Sequence, residues 1–278
     1  MSHTFYSIRT SKNENLKGLS IDLFKDIFLR VYDKLNEDGY FDENLGSWCV
    51  DEGDISGKIS DVDLEILLKI RKQNLWPIEE YISSYTEDDL FDMIEFLYHN
   101  VSKPIDGTHH SYNNCGMHWS TFNKKDGQEE FKKQINDILD LYQKPHELSS
   151  NGELLEKPEN GFEQIFNADI PSSDENISSR INSAIIQYRR HGSTIDDRRK
   201  AVRDLADVLE YLRPKVSNIL TKQDEKDLFN LANNFGIRHH NTKQKTNYDA
   251  ALWLSWMFYY YLATIHVLLR KLEHRAST

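Results

Sequence analysis

Two stretches of this chain concentrate side chains capable of chemistry. The first is Arg238-His239-His240-Asn241. A guanidinium matches phosphate oxygens in a bidentate way and an imidazole titrates near neutrality, so Arg238 is the candidate cation and His239 and His240 the candidate acid and base. An equally physical alternative is a helix end, where unpaired carbonyls and the helix dipole are satisfied by Arg and His. The second stretch is His109 to His118, with His110, Cys115 and His118 in ten residues. Zinc accepts thiolate and imidazole, and the two-residue gap between Cys115 and His118 lets both reach one ion. The only other cysteine, Cys49, is remote in sequence, so spacing supplies no complete ligand set. The stretch is therefore read as a hydrogen-bonded loop with no metal or cofactor assigned, and zinc on His110, Cys115 and His118 stands as the alternative.

Charge narrows the partners. A formal net charge of -11 argues against a surface coated in nucleic acid, because phosphate binding draws its affinity from clustered Lys and Arg. A local patch is compatible with that charge. Arg189-Arg190-His191, Arg198-Arg199-Lys200, Lys243 and Lys245 could gather with Arg238 and Asn241 into an RNA-facing surface. Asp196, Asp197, Asp204 and Asp207 lie among them and cancel part of it. The acidic run Asp51, Glu52, Asp54 lacks the loop length and closing Glu of an EF-hand and reads as a solvated loop. Two cysteines make no disulfide framework, and no apolar segment follows Met1, so the expected location is the cytoplasm with reduced thiols.

The elements that must position these residues are mostly helices. Apolar residues recur at three- and four-residue steps in Ser20 to Leu35, Asp61 to Lys72, the helix opened by Thr86-Glu87-Asp88-Asp89, and Glu129 to Tyr142. Trp76-Pro77-Ile78 is expected to end the second of these. Tyr40 to Gly57 reads as a loop or short strand pair. Lys144 to Asp174, with three prolines, is the sharpest break in composition. The expected organisation is a mostly helical domain over 1–150 with loops or short strands, a linker over 151–174, and a bundle over 175–278.

Four helical segments are expected in that bundle: 177 to 188, 195 to 212 closed by Pro214, about 222 to 235, and 250 to about 275 after an Asp249 cap. Short connections favour an antiparallel four-helix bundle. Ala250 to Leu269 holds twenty residues without a charged side chain, long enough to cross a bilayer. Its centre carries Tyr259, Tyr260 and Tyr261, whereas bilayer helices keep such residues at their ends. A buried core helix is the expectation, with part of its aromatic group forming a dimer interface.

Phe235-Gly236-Ile237-Arg238-His239-His240-Asn241, at the junction of the third and fourth segments, resembles the conserved corner of HEPN domains. Trp76-Pro77-Ile78, the helix from Leu90 to Val101 and the loop Asn113-Asn114-Cys115-Gly116 are similar to N-terminal regions attached to HEPN-like domains in bacterial abortive-infection proteins. The resemblance implies a mainly α protein whose C-terminal bundle forms a homodimer and cleaves RNA without metal, a toxin-like effector in phage defence. Arg238, His239 and His240 would be catalytic, with Asn241, Lys243, Lys245, Arg189 and Arg190 on the RNA. The N-terminal region would sense or restrain it, alone or through a regulatory protein partner. The family's motif is an Arg followed by a polar residue and then a His four to six positions on; Arg238-His239 matches its first half, and the later positions hold Lys243, Gln244 and Lys245. That departure points to the alternative of a non-catalytic RNA- or protein-binding scaffold.

Overall fold

A computed structural model describes residues 5–12, 17–158, 161–166, 168–216, 219, 221–223, 226–228 and 249–276. The protein is mainly helical, and the chain divides into two units, Met1–Glu156 and Lys157–Thr278.

The helices of the first unit are α1 (Tyr6–Arg9), α2 (Ile21–Glu37), α3 (Asp42–Leu45), α4 (Val62–Ile70), α5 (Ile78–Tyr81), α6 (Glu87–Asn100) and α7 (Lys124–Leu139). Its strands form three two-stranded antiparallel hairpins: β1 (Ser47–Cys49) with β2 (Gly53–Ile55), β3 (Lys103–His110) with β4 (Gly116–Asn123), and β5 (His146–Leu148) with β6 (Leu154–Glu156).

Three helices build the core. Ser20 caps α2 by accepting a hydrogen bond from the Leu23 amide at 3.4 Å, and the helix then buries Phe24, Phe28, Tyr32 and Leu35 along one stripe. Thr86 and Asp89 form a reciprocal capping box at the start of α6, which buries Leu90, Phe91, Met93, Ile94, Phe96 and Leu97. Helix α7 starts five residues earlier than its apolar pattern does, because Asn123 at the end of β4 accepts from the Asp126 amide at 3.1 Å and turns the chain from strand to helix. Phe41 sits among Tyr32 at 5.5 Å and Phe131 at 6.3 Å, the latter edge to face. Each such fully buried side chain contributes about 1.5–3 kcal/mol over its exposed state.

Helix α4 ends at Ile70, short of Trp76-Pro77. The stop is Arg71, which takes a left-handed conformation at φ 64° and returns its amide to the Leu67 carbonyl at 3.0 Å. Pro77 instead opens α5 from the N-cap position. The stretch expected to be a loop around His109–His118 is the tip of the long β3–β4 hairpin, folded by a tight turn in which Asn113 (φ 47°), Asn114 (φ 59°) and Gly116 (φ 104°) all take positive φ. Pro104, Gly107 and the absence of clean alternation hide these strands in the sequence. Within 151–174, Leu154–Glu156 form β6 of the first unit, and Phe166 is buried in the core of the second.

The second unit contains α8 (Glu163–Phe166), α9 (Glu175–Arg189), α10 (Ile195–Val216) and α11 (Ala250–Ala276). Thr194 and Asp197 cap α10 reciprocally, and this helix packs on both α9 and α11. Pro214 lies inside α10 and does not end it. Leu212 and Val216 on either side are buried, and that anchoring carries the helix two residues past the proline. Asp249 caps α11, accepting from the Leu252 amide at 3.1 Å.

Helix α11 is long and apolar enough to cross a membrane by length and composition, with 56% of its most apolar window buried inside the protein. Leu254, Met257, Phe258, Tyr261, Leu262, Ile265, Leu268 and Leu269 make its core face, and Phe258 stacks on Tyr188 at 4.0 Å and lies 5.8 Å from Phe166. The Tyr188 hydroxyl donates to Ser255 Oγ at 2.7 Å, tying α9 to α11.

His266 is also buried on α11, with no hydrogen-bond partner for either ring nitrogen among the described residues. Burial holds its pKa below the ordinary histidine value, and Arg270 adds to the effect. The unfolded chain therefore binds a proton that the folded unit refuses. The stability tied to this group is complete above the unfolded pKa of about 6.5 and is lost as pH falls through it toward the lower folded pKa. Urea unfolding measured from pH 8 to pH 5 is expected to show the second unit weakening toward acid, and His266→Leu is expected to flatten that slope.

Candidate functional site

Arg238, His239, His240, Asn241, Lys243 and Lys245 lie outside the described residues. Their flanks are defined. Residues 226–228 are helical, Leu228 is buried in the core of the second unit, and α11 begins at Ala250. The other two expected RNA contacts part company. Arg190 follows α9 as its C-cap and is exposed. Arg189 is buried, its guanidinium carbon 5.0 Å from the Phe166 ring centroid. A cation stacked on a core aromatic is a packing element, so Arg189 does not belong to a phosphate-facing surface. Of the neighbouring basic run, Arg198 lies over the Tyr188 ring at 5.4 Å and Arg199 pairs with Asp196, which leaves Lys200 and Arg190 as the more outward charges.

The site that tertiary structure assembles lies in the first unit. Strand β1 ends at Cys49, β3 ends at His110, and the turn returns the chain through Cys115 to His118 on β4. One donor atom from each of Cys49, His110, Cys115 and His118 lies within 4.8 Å of every other. Cys49 Sγ is 3.8 Å from His110 Nδ1, and Cys115 Sγ is 3.2 Å from His118 Nε2. Sequence spacing could not join Cys49 to the set, because 61 positions separate it from His110; the fold does so by placing the β1 end against the β3–β4 tip.

Backbone and carboxylate groups surround these donors. The Asp51 amide points at Cys49 Sγ at 3.5 Å, and Asp51 Oδ2 lies 3.3 Å from His110 Nε2, the ring nitrogen turned away from the cysteine. Burial pushes the Asp42 carboxyl up to about 6, with His118 pulling in the opposite direction. The register that aligns His110 with Gly116 and Thr108 with His118 is set by an irregularity beside Gly107, where a methyl group would lie 2.4 Å from the His118 carbonyl oxygen.

A cleft of about 880 Å³ opens beside Cys115 and is lined by Trp48, Trp76 and Trp119 together with Asp42, Asp54 and Glu79. Carboxylates on its wall repel phosphate, so the cleft is unsuited to RNA. No family profile matches the sequence, and no curated protein and no solved structure is significantly similar to the chain.

Proposed function

We propose that the second unit is a HEPN-like bundle directed at RNA, and that the chain is an effector of phage defence whose first unit senses the trigger or restrains the second. The observation that carries this reading is the place of Arg238-His239-His240-Asn241 in the sequence, between a helical segment docked through Leu228 and the core helix α11. In an antiparallel four-helix bundle the connection between two consecutive helices is a corner at one end of the bundle.

The chemistry is metal-independent transesterification. A histidine takes the proton of a ribose 2′-hydroxyl, the freed oxygen attacks the adjacent phosphorus, and the bond to the 5′-oxygen breaks as a second acid protonates it. The products are a 2′,3′-cyclic phosphate and a 5′-hydroxyl. Arg238 would hold the charge that builds on the phosphorane oxygens. A homodimer suits this scheme because each corner could draw one of its two imidazole roles from the other copy. Trp253, Trp256 and Tyr260 form an exposed row on α11, with Trp256 stacked on Tyr260 at 5.6 Å, and supply an apolar face for such pairing. A monomer mass by light scattering at micromolar concentration would remove the dimer from the reading.

Expression of the chain is expected to cut cellular RNA into fragments with 5′-hydroxyl ends in a reaction insensitive to chelators. Arg238→Ala is expected to lower cleavage by roughly 10²–10³-fold, the loss typical of one charge-stabilising group. Intact RNA in the presence of the unsubstituted chain overturns the nuclease. Salt-dependent RNA binding without cleavage, lost in Arg238→Ala, supports the second reading, a scaffold that has lost turnover, which Lys243, Gln244 and Lys245 in place of the motif's distal His favour.

A further inference from the structure

The geometry points to a zinc ion held by Cys49, His110, Cys115 and His118, clipping the β1–β2 hairpin to the tip of the β3–β4 hairpin. The inference is independent of any activity in the second unit. Four features carry it.

The first is convergence. Two separate thiol–imidazole hydrogen bonds, Cys49 with His110 and Cys115 with His118, would satisfy each pair without requiring the pairs to meet. They do meet, with all four donor atoms inside 4.8 Å of one another. Zinc bonds of about 2.0 Å to nitrogen and 2.3 Å to sulfur set tetrahedral edges of roughly 3.3–3.8 Å, a contraction that small side-chain rotations supply. The second is donor chemistry. Two thiolates and two neutral imidazoles form a borderline-soft, four-ligand set suited to zinc, with no position left open for a substrate, which is the pattern of a structural site and not of a catalytic one. Both cysteines are free, and Cys49 is buried. Loading the site releases the two thiol protons to solvent and leaves zinc and its four ligands with zero net charge.

The third is the surrounding shell. The Asp51 carboxylate on His110 Nε2 fixes the ring so that Nδ1 faces the site, and the Asp51 amide directed at Cys49 Sγ stabilises a thiolate. The fourth is need. An isolated two-stranded hairpin is marginal in water, and these tips expose Trp48, Tyr112 and Met117 instead of burying them. A metal clip supplies the cohesion that apolar packing lacks there.

The test uses the full chain, purified without a polyhistidine tag and under reducing conditions. Elemental analysis is expected to find one zinc per chain. Titrating the thiols with a mercurial is expected to release that zinc into a colorimetric indicator in step with the loss of two cysteines. Cobalt(II) loaded in its place is expected to show the visible bands of a tetrahedral site together with thiolate charge transfer. Cys49→Ser is expected to abolish the charge-transfer intensity of one thiolate and weaken retention by at least tenfold, whereas substitution of the exposed His109 by Ala is expected to change neither. The measurements on the unsubstituted chain do not require any variant to fold. Less than half an equivalent of zinc with two free thiols, a Cys49–Cys115 disulfide in the reduced preparation, or full retention in a chain lacking both Cys49 and His110 each overturns the site.

Discussion

Phe258→Ala is expected to lower the stability of the second unit by about 3–5 kcal/mol, the range for removing a fully buried aromatic ring. The ring is wholly buried in the N-terminal third of α11, lies flat on Tyr188 at 4.0 Å and reaches Phe166 at 5.8 Å. Its loss opens a cavity bounded by two other aromatic rings, neither of which is free to move in. Tyr188 is held by its hydrogen bond to Ser255, and Phe166 carries the Arg189 guanidinium on its face. Because a domain commonly has only about 5–15 kcal/mol in hand, the substitution consumes a large part of the reserve. The check is a lower urea midpoint and faster hydrogen exchange at the buried amides of α9 and α10. Phe258→Leu retains most of the volume and is expected to cost less. A midpoint unchanged by Phe258→Ala would mean that the aromatic layer is not the keystone of this unit.

Gly107→Val is expected to destabilise the first unit by about 2–3 kcal/mol, toward the upper end of overpacking effects, and to weaken zinc retention with it. Strands β3 and β4 approach so closely here that an added methyl group would lie 2.4 Å from the His118 carbonyl oxygen and 2.8 Å from Trp119 Cα, both backbone atoms that cannot rotate aside. The strands must separate or slip, and a one-residue slip in a hairpin sends a side chain to the opposite face. His118 is two residues from the turn and is paired with Thr108, next to the substituted position, so its imidazole is the group displaced. Denaturant unfolding followed alongside zinc content checks both parts. Full stability with a normal zinc load would show that the hairpin tolerates the side chain and that Gly107 is not what aligns the ligands.

The nuclease reading and the zinc site concern different parts of the chain and fail independently. A chain that holds zinc and leaves RNA intact keeps the clip and loses the proposed reaction. One that cleaves RNA without zinc keeps its reaction and loses the proposed clip.

The helices were legible because their determinants are local. Ser20, Thr86 and Asp249 act on amides three residues away, and the stripes of α2, α6, α9 and α10 repeat with the helical period, so a window of a dozen residues contains both signals. Where a local signal competed with packing, packing prevailed. Pro214 was outweighed by the burial of Leu212 and Val216, and Arg189, one of two adjacent arginines in a polar run, went into the core because Phe166 lies where its guanidinium can stack. Charge alone does not reveal which arginine of such a pair faces inward.

The metal ligands show the opposite division. Residue type and the Cys115–His118 gap were visible in the sequence, as was the polar run Arg238-His239-His240. The sequence by itself thus determined the periodic helices, their caps and a short roster of reactive side chains. Only the tertiary structure decided that Cys49 joins His110, Cys115 and His118. That meeting depends on the register of one hairpin, set by a close backbone approach at Gly107, and on the docking of a second hairpin from 61 residues away. Contacts of that range are chosen by packing of the whole unit, and no short window of sequence encodes them.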